Sequence, residues 1–93
     1  MAQKLELGRT VVTIGVDSWM SEDPTRRSGI VECLIRHSCG DWGSVCDEDS
    51  AANEEAVARD ERVLSAYEVG ERRLWVITEW DRSVTTVLFP EEY

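Results

Sequence analysis

The chain has 93 residues, of which 42% are hydrophobic and 31% are charged, and this composition excludes general disorder. We expect a single domain over residues 1–93, because a chain of this length has room for one hydrophobic core. The formal net charge of −9 argues against direct binding to nucleic-acid phosphates and favours attraction to basic protein surfaces.

The N-terminal part of the chain predicts one strand and one helix. Threonine, valine and isoleucine alternate over residues 9–16, which is typical of a half-buried strand, and residues 17–23 follow as a predicted loop. A helix is predicted over residues 24–38, with Asp23 as its N-cap and Gly40 as its stop signal. Apolar residues recur at helical spacing within it, so one face should be buried.

A second helix is predicted over residues 45–59, after a tight turn formed by residues 40–43. Ser44 and Asp47 have the spacing of a capping box at the start of this helix. Most of the negative charge lies here, because residues 41–61 contain eight acidic residues and one basic residue. Such a segment is either a solvated helix face or a surface that binds a partner.

The last third of the chain predicts three strands joined by short turns. Strand-forming residues are concentrated in residues 62–69, 73–79 and 83–89, and Pro90 ends the last strand because proline cannot donate to a ladder. The short connection over residues 80–83 predicts an antiparallel hairpin. The whole chain therefore predicts an α+β fold, in which an antiparallel β-sheet of about four strands (β-α-α-β-β-β) carries two helices on one face.

Four motifs between His37 and Tyr93 occur in combination. They are His37-x-x-Gly40-Asp41-Trp42-Gly43, Asp49…Asn53…Ala56, Arg62-x-Leu64-Ser65-Ala66-Tyr67 and Trp75-x-Ile77-Thr78-Glu79-x-Asp81-Arg82-Ser83-x-Thr85-Thr86-x-Leu88-x-Pro90-x-Glu92-Tyr93. In this combination the chain resembles a family of short bacterial proteins labelled plasmid-related protein, which occur on plasmids, integrated elements and prophages. The resemblance implies that a mobile element uses the protein against host defences, as an anti-CRISPR or anti-restriction inhibitor. The chain departs from the family at Trp80, where a small residue is common, and at Asp60 and Glu61, where glycine is common.

A second hypothesis is a small enzyme or ligand-binding domain built around the single histidine. His37 would act as a base or metal ligand if the turn at residues 40–43 packs near the loop between the last two strands. The groups that would join it are Asp41, Glu79, Asp81 and Arg82. The alternative is structural: Asp41 closes its own turn, and the other three form a local ion pair around the hairpin.

Cys33, His37, Cys39 and Cys46 are of the residue types that bind zinc. The spacing between these cysteines matches no known zinc motif, so we expect no bound metal, and nothing in the sequence indicates a cofactor. An odd number of cysteines fits reduced thiols better than a disulfide framework. No apolar run approaches the ~20 residues of a membrane span, and the first residues lead into no apolar signal core, so we expect a cytoplasmic protein.

The leading hypothesis is a non-enzymatic module that binds a protein with a basic surface, such as a CRISPR effector or a restriction subunit. Its carboxylates would compete with nucleic-acid phosphates, and a tryptophan from a predicted loop would anchor the contact, because aromatic residues are common at interface hot spots. The residues predicted to bind the partner are Asp47, Glu48, Asp49, Glu54, Glu55, Trp19, Trp80 and Asp81. A third hypothesis is a homodimeric structural or antitoxin-like module whose sheet edges or tryptophan loops pair, so monomer and homodimer both remain open.

Overall fold

The structure is a computed structural model that describes residues 3–93. Its elements are β1 (Arg9–Val12), α1 (Ile14–Ser21), α2 (Pro24–Ser38), α3 (Asp47–Arg59), β2 (Val63–Val69), β3 (Arg72–Thr78), β4 (Val84–Leu88) and a short 3-10 turn (Pro90–Glu92). The α+β class predicted from the sequence is confirmed. Within the described residues, no helix combines the length and the apolar character needed to cross a membrane.

The four strands form a mixed sheet in the order β1-β4-β3-β2. The strands β2, β3 and β4 form the predicted antiparallel meander, but β1 runs parallel to β4, with Arg9 opposite Val84. The prediction of a wholly antiparallel sheet is therefore wrong. Short turns dictate the direction of the last three strands, whereas β1 is separated from them by three helices and its direction is set only by tertiary packing.

The helix α1 replaces the end of the first predicted strand and most of the predicted loop that follows it. Thr13 ends the extended segment by acting as an N-cap, since its hydroxyl accepts a hydrogen bond from the backbone N–H of Val16 at 3.2 Å. Val16 and Trp19 lie three residues apart and are both buried, which gives this short helix one apolar side. The protein thus has three α-helices instead of the two predicted.

The helices α2 and α3 match the predicted segments closely, but only one of the predicted caps is present. Asp23 caps α2 as predicted, because its carboxylate accepts from the backbone N–H of Thr25 at 3.0 Å. The helix α3 begins at Asp47 with Cys46 as its N-cap, and no side chain caps it. The predicted capping box at Ser44 is therefore wrong.

The main hydrophobic core lies between the sheet and the two helices α1 and α2. Its buried residues are Val16, Trp19, Ile30, Cys33, Tyr67, Leu74, Val76, Val87 and Phe89. A second cluster joins α3 to the start of β2 and the N-terminal segment through Leu5, Trp42, Ala56 and Val63. On the opposite face of the sheet, Tyr93 packs edge-on against Trp75 with ring centroids 5.5 Å apart.

Candidate protein-binding surface

Asn53 bonds the helix α3 to the outer edge of β2. The amide of Asn53 donates to the backbone carbonyl of Leu64 at 2.7 Å, and the backbone N–H of Leu64 donates to the amide oxygen of Asn53 at 3.3 Å. Ala56, on the same side of the helix, is buried in the second cluster. These contacts determine which side of α3 faces the core and therefore which side faces solvent.

The exposed side chains of α3 include the predicted carboxylates, which we call the acidic surface. Its members, all exposed, are Asp47, Glu48, Asp49, Glu54 and Glu55. The first three lie in the first turn, where the helix dipole favours negative charge. Among the described residues these three form no ion pair, whereas Glu54 lies 3.6 Å from Lys4 and Glu55 lies 2.9 Å from Arg59.

Glu54 also has a structural contact. The indole N–H of Trp42 donates to its carboxylate at 2.7 Å, while the ring of Trp42 packs in the second cluster and lies edge-on to His37 with ring centroids 5.8 Å apart. Glu54 therefore holds Trp42 in place as well as contributing charge. The remaining four carboxylates of the acidic surface are the better candidates for contact with a partner.

The tip of the β3–β4 hairpin is tied to the C-terminal end of α3. Arg82, at the tip, donates to the backbone carbonyls of Glu61 at 2.6 Å and Ala56 at 3.1 Å. Trp80, two residues earlier in the same turn, keeps 65% of its surface exposed. Arg82 thus joins the turn that carries the exposed Trp80 to the end of α3. The sequence gives no signal for this contact. Every residue has a backbone carbonyl, so the residue types do not indicate which carbonyls accept from Arg82.

Asp81 is exposed at the hairpin tip and closes the turn. Its carboxylate accepts from the backbone N–H of Ser83 at 3.0 Å and from the Ser83 hydroxyl at 2.6 Å, and these hydrogen bonds lower the pKa of Asp81 below its ordinary value. The predicted ion pair among Glu79, Asp81 and Arg82 is wrong, because Glu79 lies 3.6 Å from Arg62 and Arg82 binds backbone carbonyls. The hairpin is closed locally but is oriented by α3.

Trp19 does not lie in a loop as predicted. It is part of α1, is 9% exposed, and packs edge-on against Phe89 with ring centroids 5.6 Å apart. The guanidinium of Arg26 covers its ring at 4.6 Å. Because the indole is enclosed in the main core, Trp19 offers little surface to a partner and is left out of the proposed contact.

His37 is fully buried and is the centre of a chain of hydrogen bonds. Its Nδ1 lies 2.5 Å from the Ser65 hydroxyl and its Nε2 lies 2.9 Å from the Thr78 hydroxyl. Thr78 in turn lies 2.7 Å from the hydroxyl of Thr85, which donates to the backbone carbonyl of Leu7 at 2.7 Å. Because that carbonyl can only accept, the hydroxyl of Thr85 uses its one hydrogen there and must accept from Thr78. Thr78 in turn accepts from the Nε2–H of His37, and Nδ1, which then has no hydrogen, accepts from Ser65. Burial lowers the pKa of His37 to about 4, with a smaller contribution from Arg82, so the ring is neutral at pH 7.

The groups of the hypothetical enzyme site are each engaged in local structure. Asp41 pairs with Arg36 at 2.7 Å and accepts from the backbone N–H of Gly43 at 3.1 Å, so it closes its own turn. Arg36 is the main reason that the pKa of Asp41 is lowered. Both ring nitrogens of His37 are engaged by the hydroxyls of Ser65 and Thr78, and the imidazole has no exposed surface on which a substrate could bind.

The three cysteines occupy different environments. Cys33 is buried in the main core, and burial raises the pKa of its thiol to about 11, whereas Cys46 is exposed and Cys39 is half-buried. Within residues 3–93, no three His, Cys, Asp or Glu side chains are grouped so that they could hold a metal ion. The cysteines and His37 therefore do not form a zinc cluster within that part of the chain.

The two edges of the sheet differ. The outer edge of β2 is occupied by Asn53 and by the turn that follows α2, where Ala66 accepts from the backbone N–H of Ser44 at 2.7 Å and donates to the carbonyl of Trp42 at 3.1 Å. The other edge strand is β1, which is four residues long and pairs with β4 alone in the described part of the chain. A further strand could pair only with this short edge.

Comparisons with known proteins give no match: no protein-family model fits the chain, and no curated protein and no solved structure is significantly similar to it. The resemblance to the plasmid-related proteins therefore stays a prediction.

Proposed function

We propose that this protein is a non-enzymatic inhibitor of a host defence nuclease complex, and that its acidic surface binds the basic nucleic-acid channel of that complex. The observation that supports this proposal is the orientation of α3. Asn53 and Ala56 turn towards the sheet, so Asp47, Glu48, Glu54 and Glu55 lie on the opposite, solvent side of α3, and Asp49 is exposed in the first turn.

The charge of the molecule supports the same choice of partner. The chain carries a net charge of −9, and residues 41–61 contribute a net −7 of it. A channel that binds DNA or RNA is lined by lysine and arginine, and a rigid array of carboxylates can occupy it in place of phosphates. Trp80 lies in the hairpin turn that Arg82 joins to the C-terminal end of the same helix, and it would supply the apolar anchor of the contact.

The test is capture from bacterial lysates that contain CRISPR and restriction systems, using tagged protein and quantitative mass spectrometry. One variant removes four carboxylates of the acidic surface that have no structural contact with the core: Asp47→Asn, Glu48→Gln, Asp49→Asn and Glu55→Gln. A matched control removes four exposed carboxylates elsewhere: Asp17→Asn, Glu32→Gln, Glu68→Gln and Glu71→Gln. Both variants change the net charge by the same amount, so only position distinguishes them.

We expect the native protein to capture a subunit of a defence nuclease in a stoichiometric amount, and added DNA to displace it. The acidic-surface variant should bind at least about tenfold more weakly, while the control should bind nearly as well as the native protein. Equal weakening by both variants would show that only net charge matters. A consistent absence of any nuclease subunit among the captured proteins would refute the inhibitor function.

A further inference from the structure

We propose that the Trp80 corner, formed by Trp80, Asp81, Asp60 and Glu61, binds an arginine side chain of the partner protein. This inference rests on the proposed function, because it names the chemical group of the partner that one end of the same surface recognises. It also commits to arginine over lysine, which can be tested without knowing the partner.

The first observation is the exposure of an aromatic face. Trp80 is 65% exposed, whereas Trp19 and Trp42 are 9% and 4% exposed and Trp75 is half-buried. An indole that contributes nothing to the core and stands at the tip of a hairpin is available to a partner. A guanidinium that lies within about 6 Å of the centroid of an indole is attracted by the negative face of the ring.

The second observation is the charge around this indole. Asp81 follows Trp80 directly, and Asp60 and Glu61 are brought to the hairpin tip by the hydrogen bonds from Arg82 to the end of α3. All three carboxylates are exposed, and within the described residues none of them forms an ion pair. The guanidinium of Arg82 is directed at the carbonyls of Glu61, Glu79 and Ala56, and the neighbouring Arg59 and Arg62 pair with Glu55 and Glu79.

The third observation is that the corner is held in one shape. Asp60 and Arg82 are the two non-glycine residues of the described chain with positive φ, at 54° and 60°. Arg82 holds the two segments together, and the backbone N–H of Glu79 donates to the carbonyl of Val84 at 3.0 Å at the base of the loop. A site that is already ordered loses less conformational entropy when a ligand binds.

Arginine fits this corner better than lysine for two reasons. The planar guanidinium can stack on the indole while its edge donates to a carboxylate, whereas the ammonium of lysine is a compact and strongly hydrated charge. Arginine also donates two parallel hydrogen bonds to one carboxylate. The corner should therefore select an arginine from the basic surface that the rest of α3 attracts.

The test uses two short peptides of equal length and charge, one rich in arginine and one rich in lysine. Each is titrated at low ionic strength into isotope-labelled protein, and the indole and backbone N–H signals are followed by NMR. We expect the arginine peptide to shift the Trp80 indole signal and the backbone signals of Asp60, Glu61 and Asp81. Trp80→Ala should weaken binding of the arginine peptide about two- to fivefold and leave that of the lysine peptide nearly unchanged.

Two controls separate the corner from general electrostatics. Tyr93→Ala removes another exposed aromatic ring, 66% exposed, and should leave the preference for arginine intact. Removing the carboxylates of Asp47, Glu48 and Asp49 should lower the affinity for both peptides by the same factor. Equal affinity of the native protein for the two peptides, or an unmoved Trp80 signal, would refute the inference. The peptide titration uses no nuclease and is therefore independent of the capture experiment. A preference for arginine without capture of a nuclease would refute the inhibitor function and leave the proposed arginine site intact.

Discussion

The guanidinium of Arg82 donates to the backbone carbonyl of Glu61 over 2.6 Å, and this contact joins the β3–β4 hairpin to the end of α3. A second donation goes to the carbonyl of Ala56 at 3.1 Å, in the last turn of the helix, which also accepts from the backbone N–H of Glu61 at 2.9 Å. One arginine thus joins the end of the helix to the turn that carries the exposed Trp80. It does so from a backbone conformation, φ 60°, that few non-glycine residues adopt.

We therefore expect Arg82→Ala to lower the free energy of unfolding by about 2 kcal/mol, because the carbonyls of Glu61 and Ala56 lose a charged donor. Arg82→Gly loses the same donors but relieves the positive φ, so it should be about 1 kcal/mol less destabilising than the alanine variant. Urea unfolding of the two variants measures both values. An unchanged unfolding midpoint for the alanine variant would show that the contact contributes nothing to stability.

Gly43→Ala should be among the most destabilising single changes. A Cβ at this position would clash with the carbonyl oxygen of Ala66 and lie 2.7 Å from the ring of Tyr67, and φ is 74°. We expect a cost of about 3 kcal/mol, from strain in the left-handed region together with overpacking. The matched control is Gly70→Ala, where φ is 61° but an added Cβ would meet no atom within 4 Å beyond its chain neighbours. This change should cost only about 1 kcal/mol. Equal costs for the two variants would contradict the proposed role of the close approach to β2.

Asn53→Ala should separate α3 from the edge of β2. It leaves the backbone N–H and carbonyl of Leu64 without their partners, and we expect a loss of about 2 kcal/mol in the free energy of unfolding. Ser50→Ala, one turn earlier on the same helix, removes no described side-chain hydrogen bond and should change stability by less than about 0.5 kcal/mol. Thermal unfolding followed by circular dichroism compares the two, and similar melting points would argue against the paired hydrogen bonds.

Stability should fall between pH 6.5 and pH 4, because His37 is buried as the neutral ring. Its pKa is about 4 in the folded protein against 6.5 for an exposed histidine. A depressed histidine pKa means that the unfolded chain takes up a proton first, so stability is full above pH 6.5 and decreases as the pH approaches 4. The shift corresponds to at most about 3 kcal/mol.

Urea midpoints at several pH values across this interval measure the effect. Asp41→Asn is the matched control, since Arg36 lowers the pKa of Asp41 and its contribution is lost only below its ordinary value of 3.8. This variant should keep the decrease between pH 6.5 and pH 4. A constant midpoint over that interval in the native protein would mean that His37 is not neutral and enclosed.

The cysteines should differ in reactivity with a thiol reagent. Cys46 is exposed and should react with Ellman's reagent in the native protein, whereas Cys33 is buried and has a thiol pKa of about 11. At pH 8 we therefore expect Cys33 to react only after urea is added, because the thiolate is the reactive form. Cys46→Ser should remove the fast phase, and rapid labelling of Cys33 in native protein would contradict its place in the core.

Much of the fold could be predicted because its signals are local. The helix over residues 24–38 has a capping aspartate at its start, a glycine just beyond its end and apolar residues at helical spacing. The last three strands have β-branched residues and short turns, which dictate an antiparallel meander. The strand predicted over residues 9–16 ends at Val12, because the capping role of Thr13 overrides the preference of the β-branched residues for a strand.

The candidate surface was predictable only in part. Carboxylates in α3 are exposed, as expected from their charge, and Trp80 is exposed in a polar turn. Trp19 has a similar polar neighbourhood in sequence but is buried, since α1 turns it towards Phe89. Local composition could not distinguish these two tryptophans, because the difference depends on a contact between residues far apart in the chain.

Local sequence signals are enough to predict the α+β class, the helix of residues 24–38, the antiparallel meander and the concentration of negative charge in one segment. Each depends on residues that are close in the chain, so periodicity, capping and composition suffice to predict it. Three features are visible only in the folded molecule: β1 runs parallel to β4, His37 bonds to hydroxyls on β2 and β3, and Arg82 joins the hairpin to the end of α3. These features depend on hydrogen bonds and packing between distant segments, whose partners become known only when the chain has folded.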